Sequence, residues 1–275
     1  MTAFNSIFGA VFHLMFYLFQ GMSPWIGMIV VSLLTALLML FFYRYTSNQK
    51  GIKKVKNRIK AHLLELRLYK DEIATTFKAQ GNLLISTFRY MGYNIVPMLF
   101  MMVPVVLIII QLIFWFEYGS LNIGQTAILK VKLNETLNPM NVELSLEPPS
   151  GIAVETPPLR IAEDREICWR LRAEKVGVHD LALRIQNQVV TKTVSVGGAP
   201  LAKISPVRVQ KNFLDQLLYP AESPIPKDSP VKRIEISYPY KSMSFFGFKL
   251  HWLIPYFLLS IIFGFALKGF FKIEI

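Results

Sequence analysis

Long runs of apolar residues alternate along this chain with stretches of mixed, more polar sequence. Four such runs stand out, at residues 4–19, 25–43, 95–116 and 252–267. A helix needs about 20 apolar residues to cross the hydrocarbon core of a bilayer. The second and third runs reach this length, and the fourth reaches it with its flanking residues. The pattern predicts three transmembrane helices, each satisfying its own backbone hydrogen bonds. They are predicted at residues 22–46, 93–116 and 250–271.

The first apolar run predicts a different placement, because it is shorter and carries several polar residues. These are Asn5, Ser6, His13 and Gln20, and Gly21 and Pro24 follow as helix breakers. We expect residues 1–21 to form an amphipathic helix lying in the membrane interface, with a fourth span as the alternative. The side chains expected to face the acyl chains are Phe4, Phe8, Phe12, Met15 and Phe19.

Residues 47–92 predict a basic helical hairpin of the coiled-coil kind. Apolar residues recur there three, four or seven positions apart, at Ile52, Val55, Ile59, Leu63, Leu66, Ile73 and Phe77. A turn near residues 69–71 gives two arms of similar length, whereas a turn at Gly81 gives unequal arms. The basic side chains of the first arm are Lys50, Lys53, Lys54, Lys56, Arg58 and Lys60.

The distribution of charge predicts the orientation of the chain in the membrane. The net charge is +12, and residues 44–95 alone contain eleven Lys/Arg and three Asp/Glu. Because positive loops stay in the cytoplasm, this arm is expected inside and residues 117–249 outside, in a bacterial inner membrane. The N-terminus is then outside. The tail, residues 272–275, is inside, in agreement with Lys268 and Lys272. The basic arm would lie near anionic lipid, or contact the ribosome or an acidic partner.

The segment between the second and third spans predicts a β domain. Short runs alternate polar and apolar residues, as half-buried strands do, and turn residues separate them. We expect an immunoglobulin-like β-sandwich over residues 117–198, with Trp169 in its centre and Cys168 as a small core residue. Residues 199–249 are rich in proline and predict a linker with one short helix and one strand.

Residues that could carry catalysis do not form a recognisable pattern. The four histidines, His13, His62, His179 and His251, fall in different predicted segments, so they do not predict a metal site. No phosphate-binding glycine loop is present, and the apolar runs at residues 25–43, 95–116 and 252–267 contain no Asp, Glu, Lys or Arg. The sequence therefore predicts neither an enzyme nor a bound cofactor.

Sparse polar residues and a group of methionines mark the predicted spans. The polar residues are Ser32, Thr35, Gln111 and Ser260, and the methionines are Met91, Met98, Met101 and Met102. The polar set predicts either close helix packing or a mildly polar groove inside the bilayer. The methionines predict either lipid-facing residues or an adaptable surface for an apolar partner helix.

The order of these parts resembles the YidC/Oxa superfamily of membrane-protein insertases, especially its three-span members. The clearest match is SPWIGMIVVSLLTALLMLFFYRYTSNQKGIKKVKNRIK, which is similar to that family's first core span running into its hairpin. RYMGYNIVPMLFMMVPVVLIII is similar to the second core span. The resemblance implies insertase activity, although Thr35 and Ala36 stand where bacterial members carry a groove arginine, and the β domain is an addition.

Two hypotheses of function follow. In the first, the protein assists insertion or assembly of membrane proteins, and the polar and methionine side chains contact the client. In the second, it is a non-catalytic scaffold whose outer domain, through residues 123–196, binds an envelope protein while its arm binds a cytoplasmic partner.

Overall fold

The computed structural model of the chain describes residues 2–186, 188–245, 247–271 and 273. The chain forms two compact units. One comprises Met1–Gly27 and Ile109–Trp252, and the other comprises Met28–Ile108 and Leu253–Ile275. The predictions for the side chains of Phe4 and Ser6, and for Lys272 in the tail, lie outside the described residues.

Two helices in the described part of the chain are long and apolar enough to cross a membrane. They are α2, Pro24–Thr46, and α4, Ile73–Phe116. Helix α6, Leu253–Leu267, is apolar but has only 15 residues, so the third span remains a prediction. The membrane character expected from the apolar runs agrees with these two helices.

Helix α1, Thr2–Tyr17, packs through the face that was expected to meet lipid. Phe12 and Phe16 are buried, and the ring of Phe16 lies 4.7 Å from that of Trp115, near the end of α4. The expectation that Phe12 faces acyl chains is therefore wrong. Aromatic side chains are stabilised by packing on other rings, and the spacing along α1 does not show which rings are close in space. The exposed apolar side chains of this region include Val11, Leu14, Tyr17 and Leu18.

The predicted hairpin has its turn at residues 69–72, between α3, Gln49–Leu68, and α4. Asn48 caps α3 by accepting a hydrogen bond from the backbone N–H of Gly51, 2.9 Å away. A Cβ added at Gly51 would lie 3.0 Å from the ring of Tyr93, so the start of α3 lies beside α4. The alternative turn at Gly81 does not occur, because one glycine costs a helix only about 1 kcal/mol.

Helix α4 joins the second arm and the second span without a break. Its 44 residues would extend over about 66 Å, roughly twice the thickness of a hydrocarbon core. The boundary predicted between residues 92 and 93 is therefore absent, and Pro97 and Pro104 lie inside the helix. The arm and the span form one continuous element.

The β region contains two sheets around one core, and a hairpin follows them. The strands are β1 Thr126–Leu133, β2 Leu144–Glu147, β3 Ile152–Val154, β4 Leu159–Ile161, β5 Glu166–Ala173, β6 Gly177–Ile185, β7 Gln188–Val196, β8 Val207–Val209, β9 Val231–Ile236, β10 Met243–Phe245 and β11 Phe248–Leu250. One sheet has the order β3-β5-β1-β9-β8, with β4 also on β5, and the other has the order β2-β6-β7. The separate hairpin is β10-β11.

Alternate residues of both sheets form the shared core, as period-two sequence requires. Leu129, Val131 and Leu133 of β1 are buried in the same cluster as Leu181 and Leu183 of β6. Trp169 is 4% exposed within this cluster, which confirms its predicted place. Cys168 is buried as expected, and burial raises the pKa of its thiol.

The segment predicted as a linker is instead part of the β region. Strand β9 pairs with β1, and β8 pairs with β9, so the first sheet extends well beyond residue 198. Helix α5, Phe213–Leu218, lies between β8 and β9, where a short helix was expected. The prolines fall in the connections around these strands, which is where proline is tolerated. The boundary at residue 198 is therefore wrong, because strand pairing over long sequence distances cannot be read from local composition.

Candidate functional site

The polar residues of α2 are buried against α6 within one unit of the structure. Ser32 donates a hydrogen bond to the backbone oxygen of Tyr256 at 3.4 Å, and the Tyr256 hydroxyl donates to Thr35 Oγ1 at 3.3 Å. Thr35 also donates to the backbone oxygen of Val31 at 2.8 Å. Ser32 is 0% exposed and Thr35 is 4% exposed. These side chains join two helices in this structure and do not line an open groove.

The other two polar candidates are Gln111 and Ser260. Gln111 is buried but belongs to the other unit. Ser260 lies one turn after Tyr256 on α6, and its hydroxyl is buried with no hydrogen-bond partner among the described residues. The predicted set is therefore divided, because residues on one face of separate helices need not face the same neighbour.

Replacing Ser32 by leucine is expected to destabilise the protein by about 1–3 kcal/mol, because the added carbons overpack the contact with α6. Replacing it by alanine removes only a long hydrogen bond and is expected to cost less than about 1 kcal/mol. Thermal unfolding of the full-length protein in detergent measures both changes. A Ser32→Leu variant as stable as the wild type would mean that this position faces open space.

Three of the four methionines lie together on an exposed face of α4. Met91, Met98 and Met102 are 52%, 61% and 60% exposed. Met101 differs, because it packs against a buried cluster that includes Tyr43 and Ile52. The structure therefore brings three candidates together and assigns the fourth to helix packing.

The exposed methionines belong to a longer apolar face, here called the α4 stripe. Its members follow one another at alternating intervals of four and three residues, so they lie on one side of the helix. They are Leu84, Phe88, Met91, Ile95, Met98 and Met102, and each is at least half exposed. The stripe begins in the predicted arm and continues into the predicted span. Sequence reasoning missed Leu84 and Phe88, although the same spacing extends back to Phe77.

The apolar residues that recur along the hairpin are buried only near the start of α3, at the end away from the turn. Ile52 and Val55 are buried, as the pattern predicted. Leu63, Ile73 and Phe77, nearer the turn, are 51%, 74% and 69% exposed. Because the turn region has few neighbours of its own, periodicity alone does not bury these side chains.

The basic side chains of α3 form a largely solvated surface. Ile52 and Val55 point inward, while the cationic residues occupy the rest of the helix. The exposed members are Lys50, Lys53, Lys54, Arg58 and Lys60, and Lys56 is half-buried. Such a surface is suited to anionic partners, and the charges attract them over about a Debye length of 8–10 Å.

The described residues contain no group of three or more His, Cys, Asp or Glu side chains that could hold a metal ion. No family model, no curated protein and no solved structure shows a significant match to this chain.

Proposed function

We propose that this protein is an insertase-like or chaperone-like membrane protein, related to the YidC/Oxa superfamily, that assists insertion or assembly of other membrane proteins. The observation that carries the proposal is the α4 stripe. It is an exposed apolar face that runs from the second arm of the hairpin into the part of α4 that is long and apolar enough to cross a membrane.

In this proposal, the stripe receives the apolar segment of a client before that segment enters the lipid. Phe88 and Met91 would bind it first, and Met98 and Met102 would bind it within the bilayer. Outside the bilayer, each large side chain that the client removes from water contributes about 1.5–3 kcal/mol, whereas within the bilayer only helix packing would hold the client. Methionine side chains are flexible and polarizable, so one surface accommodates clients of different shape.

The proposal places the basic arm in the cytoplasm of a bacterial cell, where α3 would contact anionic headgroups or the ribosome. Helices α2, α4 and α6 would span the inner membrane, with α1 in the outer interface. The β region, with its shared two-sheet core, would form an immunoglobulin-like domain on the outer side. The N-terminus would be outside and the C-terminus inside.

The polar pair on α2 has a conditional role in this proposal. Ser32 and Thr35 would face a client only after α6 moves away, because Tyr256 covers both. The two hydrogen bonds involved, at 3.4 and 3.3 Å, are long, and each is expected to contribute about 1 kcal/mol or less. The client would therefore meet the stripe first and the polar pair second.

Site-specific photocrosslinking in membrane vesicles tests this function and its orientation together. A photoreactive residue at position 98 is expected to crosslink stalled nascent membrane proteins in inverted vesicles, where a cytoplasmic arm is accessible. The same residue at position 35 is expected to crosslink mainly to α6. Depletion of the protein is expected to reduce insertion of those crosslinked clients.

Two results would contradict the proposal. One is unchanged client insertion in depleted vesicles. The other is crosslinking from position 98 only in vesicles whose outer surface is the periplasmic one, since the arm would then lie outside. The matched control is a photoreactive residue in place of Arg89, which is exposed on another face of α4. It is expected to crosslink clients much less.

A scaffold function is the second candidate, and exposed apolar side chains of the β region favour it. Val176 and Val178 are 61% and 73% exposed, and Ile123 is 62% exposed. The backbone N–H of Gly124 bonds to the oxygen of Ala173 at 2.7 Å, so the turns that carry these residues are neighbours. An envelope protein captured from position 178, in cells with unaffected client insertion, would favour this candidate.

A further inference from the structure

A cavity of about 510 Å³ opens between α1 and the segment that includes α5. Asn5, Gly9 and His13 form part of the α1 wall, and Lys203 and Glu222 lie on the other wall. Asn5 Nδ2 donates to the backbone oxygen of Gln216 at 2.6 Å, which holds α1 against the end of α5. Both walls belong to the same unit. The volume falls in the range of about 300–1,000 Å³ that small-ligand sites occupy.

The α1 wall leaves space at Gly9. A Cβ added there would meet no atom within 4 Å, so the helix backbone borders open volume. Any larger residue at this position would extend its side chain into that volume. Gly9 therefore gives a means of filling the cavity without altering its charge.

Lys203 and Glu222 are the charged side chains of the cavity lining, and a second lysine, Lys192, lies behind the wall. Glu222 accepts a hydrogen bond from the ammonium of Lys192, which is fully buried, so this carboxylate is already neutralised. Lys203 donates one hydrogen bond, to the backbone oxygen of Ala221 at 3.2 Å. Burial lowers the pKa of Lys203, and Glu222 opposes that change. Two ammonium groups thus share one carboxylate, and an anion in the cavity would compensate the second.

The cavity lies near the end of a candidate span. The ring of His13, on the cavity wall, is 6.3 Å from the ring of Trp115, which is one residue before the end of α4. The Trp115 ring is itself buried against Phe16, so the cavity borders the last turn of this helix. Ala10 also lines the cavity, and Leu14, one helical turn later on the same face of α1, is 68% exposed. Polar and apolar surfaces therefore meet where a phospholipid has its headgroup and chains.

We propose that this cavity binds the phosphate group of a membrane phospholipid, with Lys203 as its cationic contact. The acyl chains would leave the cavity along Ala10 and Leu14. The ammonium of Lys203 supplies a charge-assisted hydrogen bond, and Asn5 and His13 supply further polar groups at the wall. The inference requires that the protein is embedded in a membrane, but it does not depend on insertase activity.

Native mass spectrometry of the full-length protein in detergent, titrated with phosphatidylglycerol, tests the proposal. The wild type is expected to retain one phospholipid. Lys203→Gln is expected to weaken this binding about tenfold, as loss of a charged hydrogen bond does. Gly9→Leu is expected to weaken it similarly by filling the cavity, and leucine at a helical position favours folding. Lys227→Gln is the matched control, because Lys227 is an exposed charge of the same segment that does not line the cavity.

Competition with inorganic phosphate separates the two sources of a phosphate group. Failure of millimolar phosphate to displace the retained lipid is the expected result. Retention of phosphatidylglycerol at wild-type affinity by both Lys203→Gln and Gly9→Leu would overturn the proposal. Binding of inorganic phosphate without retention of lipid would assign the cavity to a soluble phosphate and would also overturn it. Neither measurement depends on client insertion. The lipid proposal can therefore fail while the proposed function stands, and the reverse is also possible.

Discussion

Replacing Lys192 by methionine is expected to lower the free energy of unfolding by about 3 kcal/mol, because Glu222, 13% exposed, loses its hydrogen-bonded cation and keeps only the charge of Lys203 nearby. The Lys192 ammonium is 0% exposed and donates to the backbone oxygens of Ser205 at 2.7 Å and Thr193 at 3.2 Å, besides Glu222. All three of its N–H donors are thereby used. Thermal unfolding of the full-length protein in detergent should show a midpoint lower by about 10 °C.

The double variant Lys192→Met with Glu222→Gln is the control for this prediction. It removes both charges, so most of the lost stability should return. Arg208 remains to bond the oxygens of Thr191 and Ser223, so the same segment keeps a second attachment. A double variant no more stable than Lys192→Met alone would show that packing of the lysine chain, and not the orphaned carboxylate, carries the effect.

The same pair gives an expected dependence on pH. Burial lowers the pKa of Lys192, although Glu222 acts to raise it. Since the folded state then binds fewer protons than the unfolded state, wild-type stability relative to the double variant should increase as the pH rises toward the ordinary lysine value of 10.5.

Replacing Phe88 by aspartate is expected to reduce insertion of a dependent client about tenfold. The change removes an exposed ring from the α4 stripe and places a charge in the path of an apolar segment. The lost burial of one aromatic side chain, about 1.5–3 kcal/mol, corresponds to a tenfold or larger weakening of client binding. Reconstituted vesicles with a labelled client measure insertion directly.

Arg89→Asp is the matched control for this experiment, because it introduces the same residue one position later. Successive helical residues are about 100° apart around the axis, so position 89 lies off the stripe. Phe88 is 69% exposed, and its loss should leave the fold intact. Equal insertion by the Phe88→Asp and Arg89→Asp variants would mean that clients do not use the stripe.

The helices and most strands of this protein are local properties, and the sequence therefore predicted them. The length of the apolar runs identified α2 and the C-terminal half of α4. The alternation of polar and apolar residues identified β1, β5, β6 and β7. The turn of the hairpin followed from arms of equal length. Trp169 was assigned to the core because a large aromatic residue on an alternating strand is seldom left in water. In each case a few neighbouring residues contain the signal.

The candidate site was predicted less well, because facing neighbours decide it. Met91, Met98 and Met102 are exposed and share a face of α4. Met101 has the same side chain, but it packs against the cluster that includes Tyr43 and Ile52. Ser32 and Thr35 have the spacing that a groove needs, yet Tyr256, more than 200 positions later in the chain, covers both. Spacing gives the face of a helix, and it does not give what lies opposite that face.

The sequence by itself determined that two apolar helices are joined through a strongly basic arm and are followed by an alternating β region. It did so because hydrophobic length, period and charge act over short stretches of chain. Only the tertiary structure decided that β9 pairs with β1, that Lys192 meets Glu222, and that α1 encloses a cavity with the segment after β7. These contacts join residues far apart in the chain, and their energies depend on burial that no local pattern specifies.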